Sequence, residues 1–205
     1  GSGKSTALKL MMRFWYVNSG EIDMSGENIK NIKTSSLRNN QSLVSQETQL
    51  FNDTIENNIL LGADRDVNEY LRLVCMDGET AAMNEGVHTL VGNGGVRLSG
   101  GQAQRLALAR TLAHPRPILI LDDPFSALDR KTEDAVFKNL LDYAKDKVVF
   151  LISHRLYHFP QMQRVVFMED RKTTVGTHDE LMAAVPAYRR LYESQTGGTQ
   201  HEEQE

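Results

Sequence analysis

Residues 98–129, LSGGQAQRLALARTLAHPRPILILDDPFSALD, constrain the fold of this chain more than any other stretch. A Gly-rich turn leads into an Ala-rich helical segment, and a continuous apolar run over residues 118–121 then ends in two aspartates. A short strand that is apolar on both faces is typical of a parallel sheet covered by helices. Open α/β sheets bind their ligands at the carboxyl ends of such strands. The stretch therefore predicts an α/β fold with a ligand site beside Asp122 and Asp123.

Length and composition exclude several classes of protein. A chain of 205 residues is long enough for one well-formed core with a smaller lobe. The net charge is −4 and the sequence has no Lys/Arg cluster of the kind that binds nucleic acid phosphates, so we expect no nucleic acid partner. Cys75 is the single cysteine, which excludes an internal disulfide. The longest apolar runs have the length of strands, far short of the roughly 20 residues of a membrane span.

The first six residues, GSGKST, match the end of the phosphate-loop pattern G-x-x-x-x-G-K-[ST]. The pattern's first glycine would precede Gly1, so we expect a piece of a longer protein. Lys4 can reach the β- and γ-phosphates, and the Ser5 hydroxyl can ligate Mg²⁺. A helix beginning near Lys4 would point its positive end at the same phosphates, and the apolar residues after it predict a largely buried helix. Taken alone, six such residues fit a flexible terminus equally well.

Periodicity and turn residues predict further elements. Ser99 is a good helix N-cap, and Gly100 and Gly101 leave the first N–H groups of the following helix uncovered by side chains, as an anion site requires. A capped helix after a Gly turn is, however, common in itself. The remaining patterns predict a short strand over 42–46, helices between about 51 and 83, an amphipathic helix around 136–144, a buried strand at Val148–Ile152 and a hairpin over 164–175. The pair His154 and His158 has helical spacing but lacks a third ligand, so we reject a metal site there.

These motifs occur in the order found in the ATP-binding cassette of ABC transporters, which residues 1 to about 193 resemble. The resemblance implies an α/β P-loop NTPase fold, with a mainly parallel sheet flanked by helices and an inserted helical subdomain. It divides the chain into an ATPase core at 1–46 and 113–193, whose N-terminal strands are missing, and a helical signature subdomain at 47–112. The polar, Gly- and Gln-rich residues 194–205 are predicted to be a disordered tail.

The resemblance also implies a set of site residues for ATP and Mg²⁺. The phosphates would be bound by the loop residues Gly1, Ser2, Gly3, Lys4, Ser5 and Thr6. Nucleotide held by a second cassette, packed head to tail, would be contacted by Ser99, Gly100, Gly101, Gln102 and Asp129. The magnesium ligands would be Ser5, Gln46 and Asp122. Catalytic roles would fall to Asp123, His154 and Gln46.

Asp123 departs from the family pattern, because ABC ATPases usually have a glutamate there that polarises the attacking water. Aspartate keeps the carboxylate but is one methylene shorter, and misplacing a base by about 1 Å can cost on the order of 10²-fold in rate. The sequence DDPFSALD resembles cassettes of heterodimeric exporters whose own site hydrolyses poorly. We therefore expect a heterodimer in which this chain lends its signature to the partner's competent site and keeps a slow site of its own.

The implied function is that of an exporter's nucleotide-binding domain, which hydrolyses ATP to ADP and phosphate to drive transport at the cytoplasmic face of the plasma (inner) membrane. Its partners would be a second cassette and a transmembrane domain fused upstream. The segment ETQLFNDTIENNI resembles the exporter loop that faces that domain, although Asn57 and Asn58 would equally fit an exposed helix end. Two alternatives remain: a regulatory ATP sensor with little hydrolysis, motivated by Asp123, or a soluble ABC ATPase of DNA repair or translation.

Overall fold

The structure is a computed structural model that describes residues 3–170 and 172–197. Its helices are α1 (Lys4–Met11), α2 (Thr34–Asn39), α3 (Ile55–Leu60), α4 (Val67–Leu73), α5 (Asp77–Ala81), α6 (Gly100–Ala113), α7 (Arg130–Tyr143), α8 (His178–Ala184) and α9 (Pro186–Thr196). Its strands are β1 (Asp23–Met24), β2 (Glu27–Asn28), β3 (Gln41–Val44), β4 (Asp53–Thr54), β5 (Leu90–Val91), β6 (Ile118–Asp122), β7 (Val148–Ile152), β8 (Val165–Glu169) and β9 (Lys172–Gly176). None of the helices within these two ranges has the length and apolar character needed to span a membrane.

The chain forms two compact units. The larger consists of Leu10–Ile152, and the smaller combines Gly1–Lys9 with Ser153–Glu205. The larger unit is built on a parallel sheet in the strand order β3-β6-β7, in which Val44 pairs with Leu121. The central strand β6 is the best covered, and its three middle residues are at most 3% exposed. The predicted α/β fold with a mainly parallel sheet is confirmed.

β7 is less buried than its apolar sequence predicts. Val148 is 54% exposed and Phe150 is 40% exposed. Within the larger unit β7 pairs with β6 alone, so its other side lacks a neighbouring strand. An apolar run therefore identified the strand correctly but gave the wrong burial.

α3 and α4 both pack against α6 in the larger unit. Apolar residues recur along α6 at helical spacing and form its buried side. The buried residues of this cluster include Ile55, Ile59, Leu71, Leu106, Ala109 and Leu112. Helices thus lie in the stretch for which the sequence predicts them, while the boundaries of a separate subdomain at 47–112 remain a prediction.

The smaller unit contains the predicted hairpin, with β8 and β9 antiparallel and Val165 opposite Gly176. Its core joins Val165 to Leu156, Leu181 of α8 and Tyr188 of α9. α9 continues to Thr196, so the predicted disordered tail is wrong for its first residues. The backbone continues the helix to this point, since the N–H of Gly197 donates to the carbonyl oxygen of Glu193 at 2.8 Å. Residues 198–205 lie outside the described chain.

α1 begins at the predicted residue but is not largely buried. Leu8 is its one buried residue, and Phe14 beyond its end is 50% exposed. Lys4, Ser5, Thr6 and Lys9 interrupt the apolar pattern and leave only a narrow apolar face for packing.

Candidate functional site

The predicted phosphate loop enters α1 through a glycine in the left-handed region. Gly3 has a φ of +96°, which side-chain-bearing residues rarely adopt. The N–H of Ala7 donates to the carbonyl oxygen of Gly3 at 2.9 Å, so the helix is already formed in this turn. The N–H groups that precede the first helical bond point out of the N-terminal end, where anions bind. Ser5 and Thr6 are exposed beside them. Gly1 and Ser2 lie outside the described residues.

His154 lies in the smaller unit, two residues after the end of β7. Its side chain is exposed, whereas the backbone around it is tied down. Ser153 Oγ accepts a hydrogen bond from the N–H of Arg155 at 2.9 Å, and the carbonyl oxygen of His154 accepts one from Gln195 Nε2 at 2.8 Å. The histidine therefore sits on a fixed loop.

The acidic pair stands at the carboxyl end of the central strand. Asp122 is the last residue of β6 and is partly buried. Asp123 is 6% exposed and has a φ of +52°, a conformation that aspartate tolerates better than most residues. Its N–H donates to the carbonyl oxygen of Ile152 at 2.8 Å, and its own carbonyl accepts from Gln104 at 3.1 Å. Both backbone groups of Asp123 are thus engaged, which fixes where its short side chain starts.

Gln104 links the helix after the signature to the acidic turn. Its Nε2 donates to the Asp123 carbonyl and to Ser126 Oγ, the latter at 3.0 Å, while its Oε1 accepts from the N–H of Ala127 at 3.0 Å. The residue is 4% exposed. Gln104 was not among the site residues predicted from the sequence. Its place on the Ala- and Leu-rich side of α6 was a signal, because a buried amide needs hydrogen-bond partners.

Gln46 follows β3 and is exposed. Because β3 and β6 are parallel and Val44 pairs with Leu121, Gln46 and Asp123 each come two residues after the same register pair. The structure therefore brings Gln46, Asp122 and Asp123 to one edge of the sheet.

The signature forms a helix start with both halves of a capping box. The N–H of Gln102 donates to Ser99 Oγ at 3.2 Å, and Gln102 Oε1 accepts from the N–H of Ser99 at 2.9 Å. Gly101 packs directly on the segment after the acidic pair, since a Cβ there would lie 2.9 Å from the carbonyl oxygen of Ala127. The N-cap prediction for Ser99 agrees with this geometry, and part of the glycine requirement comes from packing within the chain.

The first turn of α6 is also tied to α5. Gln102 Nε2 donates to Glu79 Oε2 at 2.8 Å, and the other carboxylate oxygen of Glu79 forms an ion pair with Arg105 at 2.7 Å. Arg105 further donates to the carbonyl oxygen of Cys75 at 2.6 Å. Glu79 thus holds two signature-helix side chains at once, and the proposed contact of Gln102 with nucleotide stays a prediction.

Asp129 caps the next helix. Its carboxylate accepts from the N–H of Thr132 at 3.0 Å, the geometry of an N-cap on α7. Hydrogen bonding from Thr132 lowers the pKa of this exposed carboxyl below its usual value. The residue therefore has a role in its own chain, and its predicted place in a nucleotide interface remains a prediction.

Asn58 is wholly buried rather than part of an exposed helix end. Its Nδ2 donates to the carbonyl oxygens of Phe51, Asp53 and Thr54, at 3.0, 3.3 and 3.0 Å. Its Oδ1 accepts from the N–H of Phe51 at 2.9 Å and from Arg110 at 2.7 Å. One amide therefore holds the exporter-like loop in shape, while Asn57 beside it is exposed as the alternative prediction had it.

Arg110 joins this loop to α6. Besides Asn58 Oδ1, its guanidinium donates to the carbonyl oxygen of Asn58 at 2.6 Å and to that of Gln49 at 2.9 Å. It also lies over the ring of Phe51, 4.7 Å from the centroid. Burial lowers the pKa of Arg110 from its ordinary value. The side chain of Arg110 consequently helps to fasten the loop that begins after Gln46 to the signature helix.

The predicted Mg²⁺ ligands are all oxygen donors. Gln46 and Asp122 in the larger unit offer amide and carboxylate oxygens, and Ser5 in the smaller unit offers a hydroxyl, the hard ligands that Mg²⁺ takes alongside phosphate and water. Within residues 3–170 and 172–197 no cluster of three or more His, Cys, Asp or Glu could hold a metal on its own. Donors of this kind suit an ion that arrives with phosphate oxygens as further ligands.

Comparison with known proteins identifies the family. A sequence model of the ABC transporter family matches residues 1–126. The chain is 41% identical over 200 residues to putative multidrug export ATP-binding/permease proteins of Staphylococcus aureus, strains NCTC 8325 / PS 47 and bovine RF122 / ET3-1. These alignments cover 95% of this chain and 35% of each relative.

A solved structure of a bacterial Atm1-family ABC exporter with ATP bound superposes with a TM-score of 0.88 at 32% identity. The superposition covers 94% of this chain and 35% of that one. The chain thus spans about a third of the length of the proteins it matches. The predicted cassette fold and the predicted class of enzyme, an ABC-type ATPase, are confirmed by these matches. This chain belongs to the ABC transporter family, as one of its ATP-binding domains.

Proposed function

We propose that the chain is the nucleotide-binding domain of an ABC exporter, which hydrolyses ATP to ADP and phosphate and drives export. The observation that carries this proposal is the edge of the parallel sheet, where Gln46, Asp122 and Asp123 stand together and Gln104 joins Asp123 to the signature helix. The names of its relatives, which combine an ATP-binding and a permease part, support the coupling to transport.

Each predicted residue has a defined task in this proposal. The amides at the start of α1 and Lys4 bind the phosphates, and oxygens of Ser5, Gln46 and Asp122 hold the metal. Bound Mg²⁺ supplies neutralisation of the charge on the phosphate oxygens. Asp123 orients and polarises the attacking water, and His154 binds the γ-phosphate. Gly1, Ser2, Gly3 and Thr6 complete the loop.

We further propose a head-to-tail heterodimer in which this chain's own site is slow. The fixed backbone of Asp123 supports this, because a turn bonded through both its N–H and its carbonyl cannot shift to make up for the missing methylene. A base held about 1 Å short costs on the order of 10²-fold. Ser99, Gly100, Gly101, Gln102 and Asp129 would serve the nucleotide on the partner's loop, so this chain would complete the partner's faster site.

ATP turnover of the full-length chain, produced with its partner cassette, tests this division of labour. Asp123→Asn should leave turnover nearly intact, whereas Ser99→Arg should abolish it by blocking the partner's nucleotide. Ser99→Ala, which loses the cap without adding bulk, separates helix destabilisation from blockage. If Asp123→Asn removes turnover, Asp123 is a working base and a symmetric homodimer is the better account.

A regulatory ATP sensor is the second candidate, and the buried, shortened carboxylate of Asp123 favours it. A sensor would dimerise in response to nucleotide yet show no turnover even beside a partner. Sedimentation and phosphate release on the same sample distinguish the two functions. For the exporter we propose a position at the cytoplasmic face of the plasma (inner) membrane, held there by a transmembrane domain, in keeping with the ATP-binding/permease relatives.

A further inference from the structure

A glutamine near the end of α9 bridges the backbone of the segment that carries His154. Gln195 Nε2 donates to the carbonyl oxygen of His154 at 2.8 Å, and Gln195 Oε1 accepts from the N–H of Leu156 at 2.9 Å. One side-chain amide thus binds two backbone groups, on either side of Arg155. All these residues belong to the smaller unit.

The segment needs such a bridge because it has left regular structure. β7 ends at Ile152, and residues 153–156 lie in neither a helix nor a strand. Backbone polar groups that leave a sheet require other partners. Ser153 provides one for Arg155, and Gln195 provides those for His154 and Leu156. Leu156 is 4% exposed in the core of the unit, which anchors the far end of the segment.

We propose that Gln195 is a positioning residue for His154. By binding the carbonyl of His154 and the N–H two residues later, it fixes the direction in which the exposed histidine side chain leaves the backbone. The inference rests on the proposed function, in which His154 binds the γ-phosphate. It makes the end of α9, which the sequence predicted to be a disordered tail, part of the support of the nucleotide site.

α9 does not depend on Gln195 for its attachment. Tyr188 in its first turns is 1% exposed in the core, and its hydroxyl lies 2.8 Å from His178 Nδ1. Arg189 donates to the carbonyl oxygen of Met182 at 2.7 Å. Replacing Gln195 by methionine, which has a similar shape but no amide, should therefore remove the bridge and leave the helix in place.

The test measures hydrolysis at this chain's own phosphate loop. The full-length chain with its partner is loaded with Mg²⁺ and 8-azido-ATP in a single turnover and cross-linked, and the ratio of diphosphate to triphosphate on this chain is followed. The variants are Gln195→Met, His154→Ala and the double variant. Ser194→Ala is the matched control, because its hydroxyl donates within α9 to Leu191.

Gln195→Met should slow hydrolysis by about tenfold without changing the half-saturating nucleotide concentration, as expected for a misplaced reacting group. The double variant should be no slower than His154→Ala, since both changes disable the same residue. Gln195→Glu keeps an acceptor for Leu156 but sets a carboxylate against the carbonyl of His154, so it should be slowed as much as Gln195→Met. Ser194→Ala should hydrolyse at the wild-type rate.

The separate readouts distinguish failure of this inference from failure of the proposed function. A wild-type rate for Gln195→Glu or for folded Gln195→Met, beside a slow His154→Ala, would overturn the inference alone. The inference would also fail if the double variant were slower than His154→Ala by the same factor by which Gln195→Met is slower than wild type. Such additive effects would mean that Gln195 acts independently of His154. A wild-type rate for His154→Ala would overturn both the role proposed for His154 and the inference.

Discussion

At the residue scale, the two signature glycines differ in what surrounds them. A Cβ on Gly101 would lie 2.9 Å from the carbonyl oxygen of Ala127, closer than real Cβ contacts. A Cβ on Gly100 would lie 3.6 Å from the Cβ of Ala127, an ordinary van der Waals distance. Packing within the chain therefore accounts for Gly101 but not for Gly100, for which the proposed contact with the partner's nucleotide would supply a reason.

We expect Gly101→Ala to lower the free energy of unfolding by about 1–3 kcal/mol, the usual cost of forcing extra atoms into packed structure. Gly100→Ala is the matched control, and it should change that free energy by less than about 1 kcal/mol because alanine is the better helix former. Urea unfolding of both variants measures the difference. Equal effects at the two positions would contradict the packing account.

At the element scale, the buried amide of Asn58 holds together α3, the loop before it and α6. Asn58→Ala would remove a donor from three carbonyl groups, although that of Phe51 keeps the N–H of Asp53. It would also remove an acceptor from the N–H of Phe51 and from Arg110. We expect a loss of about 2–5 kcal/mol in the free energy of unfolding, since buried polar groups without partners are costly. Asn57→Ala is the control, and its exposed amide should cost less than about 1 kcal/mol. Urea denaturation measures both, and similar losses would contradict the network.

α7 should respond to acid through its N-cap. Hydrogen bonding lowers the pKa of Asp129 in the folded chain, so near pH 4 the unfolded chain binds more protons at this group than the folded one does. The cap therefore stabilises the fold above the ordinary carboxyl pKa, and this contribution is lost as the pH falls through the lowered value.

Asp129→Asn, which still caps but does not titrate, should remove this part of the acid sensitivity. The difference in unfolding midpoint between wild type and variant should be constant at pH 6–8 and shrink below about pH 4, where the carboxyl of the unfolded wild-type chain takes up a proton before that of the folded chain. Thermal melts across this pH range measure it. A difference that grows in acid would mean that the folded state does not favour the charged carboxylate.

At the scale of the whole molecule, the sequence predicted what is local and missed what is distant. The buried strand β6, the cap by Ser99 and the hairpin all follow from residues close together in the chain. Gln104, Arg110 and Gln195 act on groups 19, 52 and 41 residues away, and no short pattern records such pairings. The predicted burial of β7 was wrong for the same reason. The exposure of this strand depends on the strand order of the sheet and not on its own apolar residues.

The proposed head-to-tail pair has a consequence that only two cassettes together can display. This chain's phosphate loop would bind one nucleotide, while its signature would contact the nucleotide on the partner's loop. Changes in the two motifs of one chain should therefore affect nucleotide on two different chains. Lys4→Ala should weaken labelling of this chain by 8-azido-ATP, and Ser99→Arg should weaken labelling of the partner instead.

Photolabelling of the full-length pair, with the two chains resolved by mass, measures this crossed pattern. Thr177→Arg is the matched control, because Thr177 caps α8 with the same kind of capping box. The variant places an arginine at the N-cap of a different helix and so reports the effect of losing a cap. It should leave the labelling of both chains near the wild-type level. If Lys4→Ala and Ser99→Arg both weaken labelling of this chain alone, each cassette forms its site by itself. The slow site would then be explained by Asp123 within one chain, without exchange of signatures.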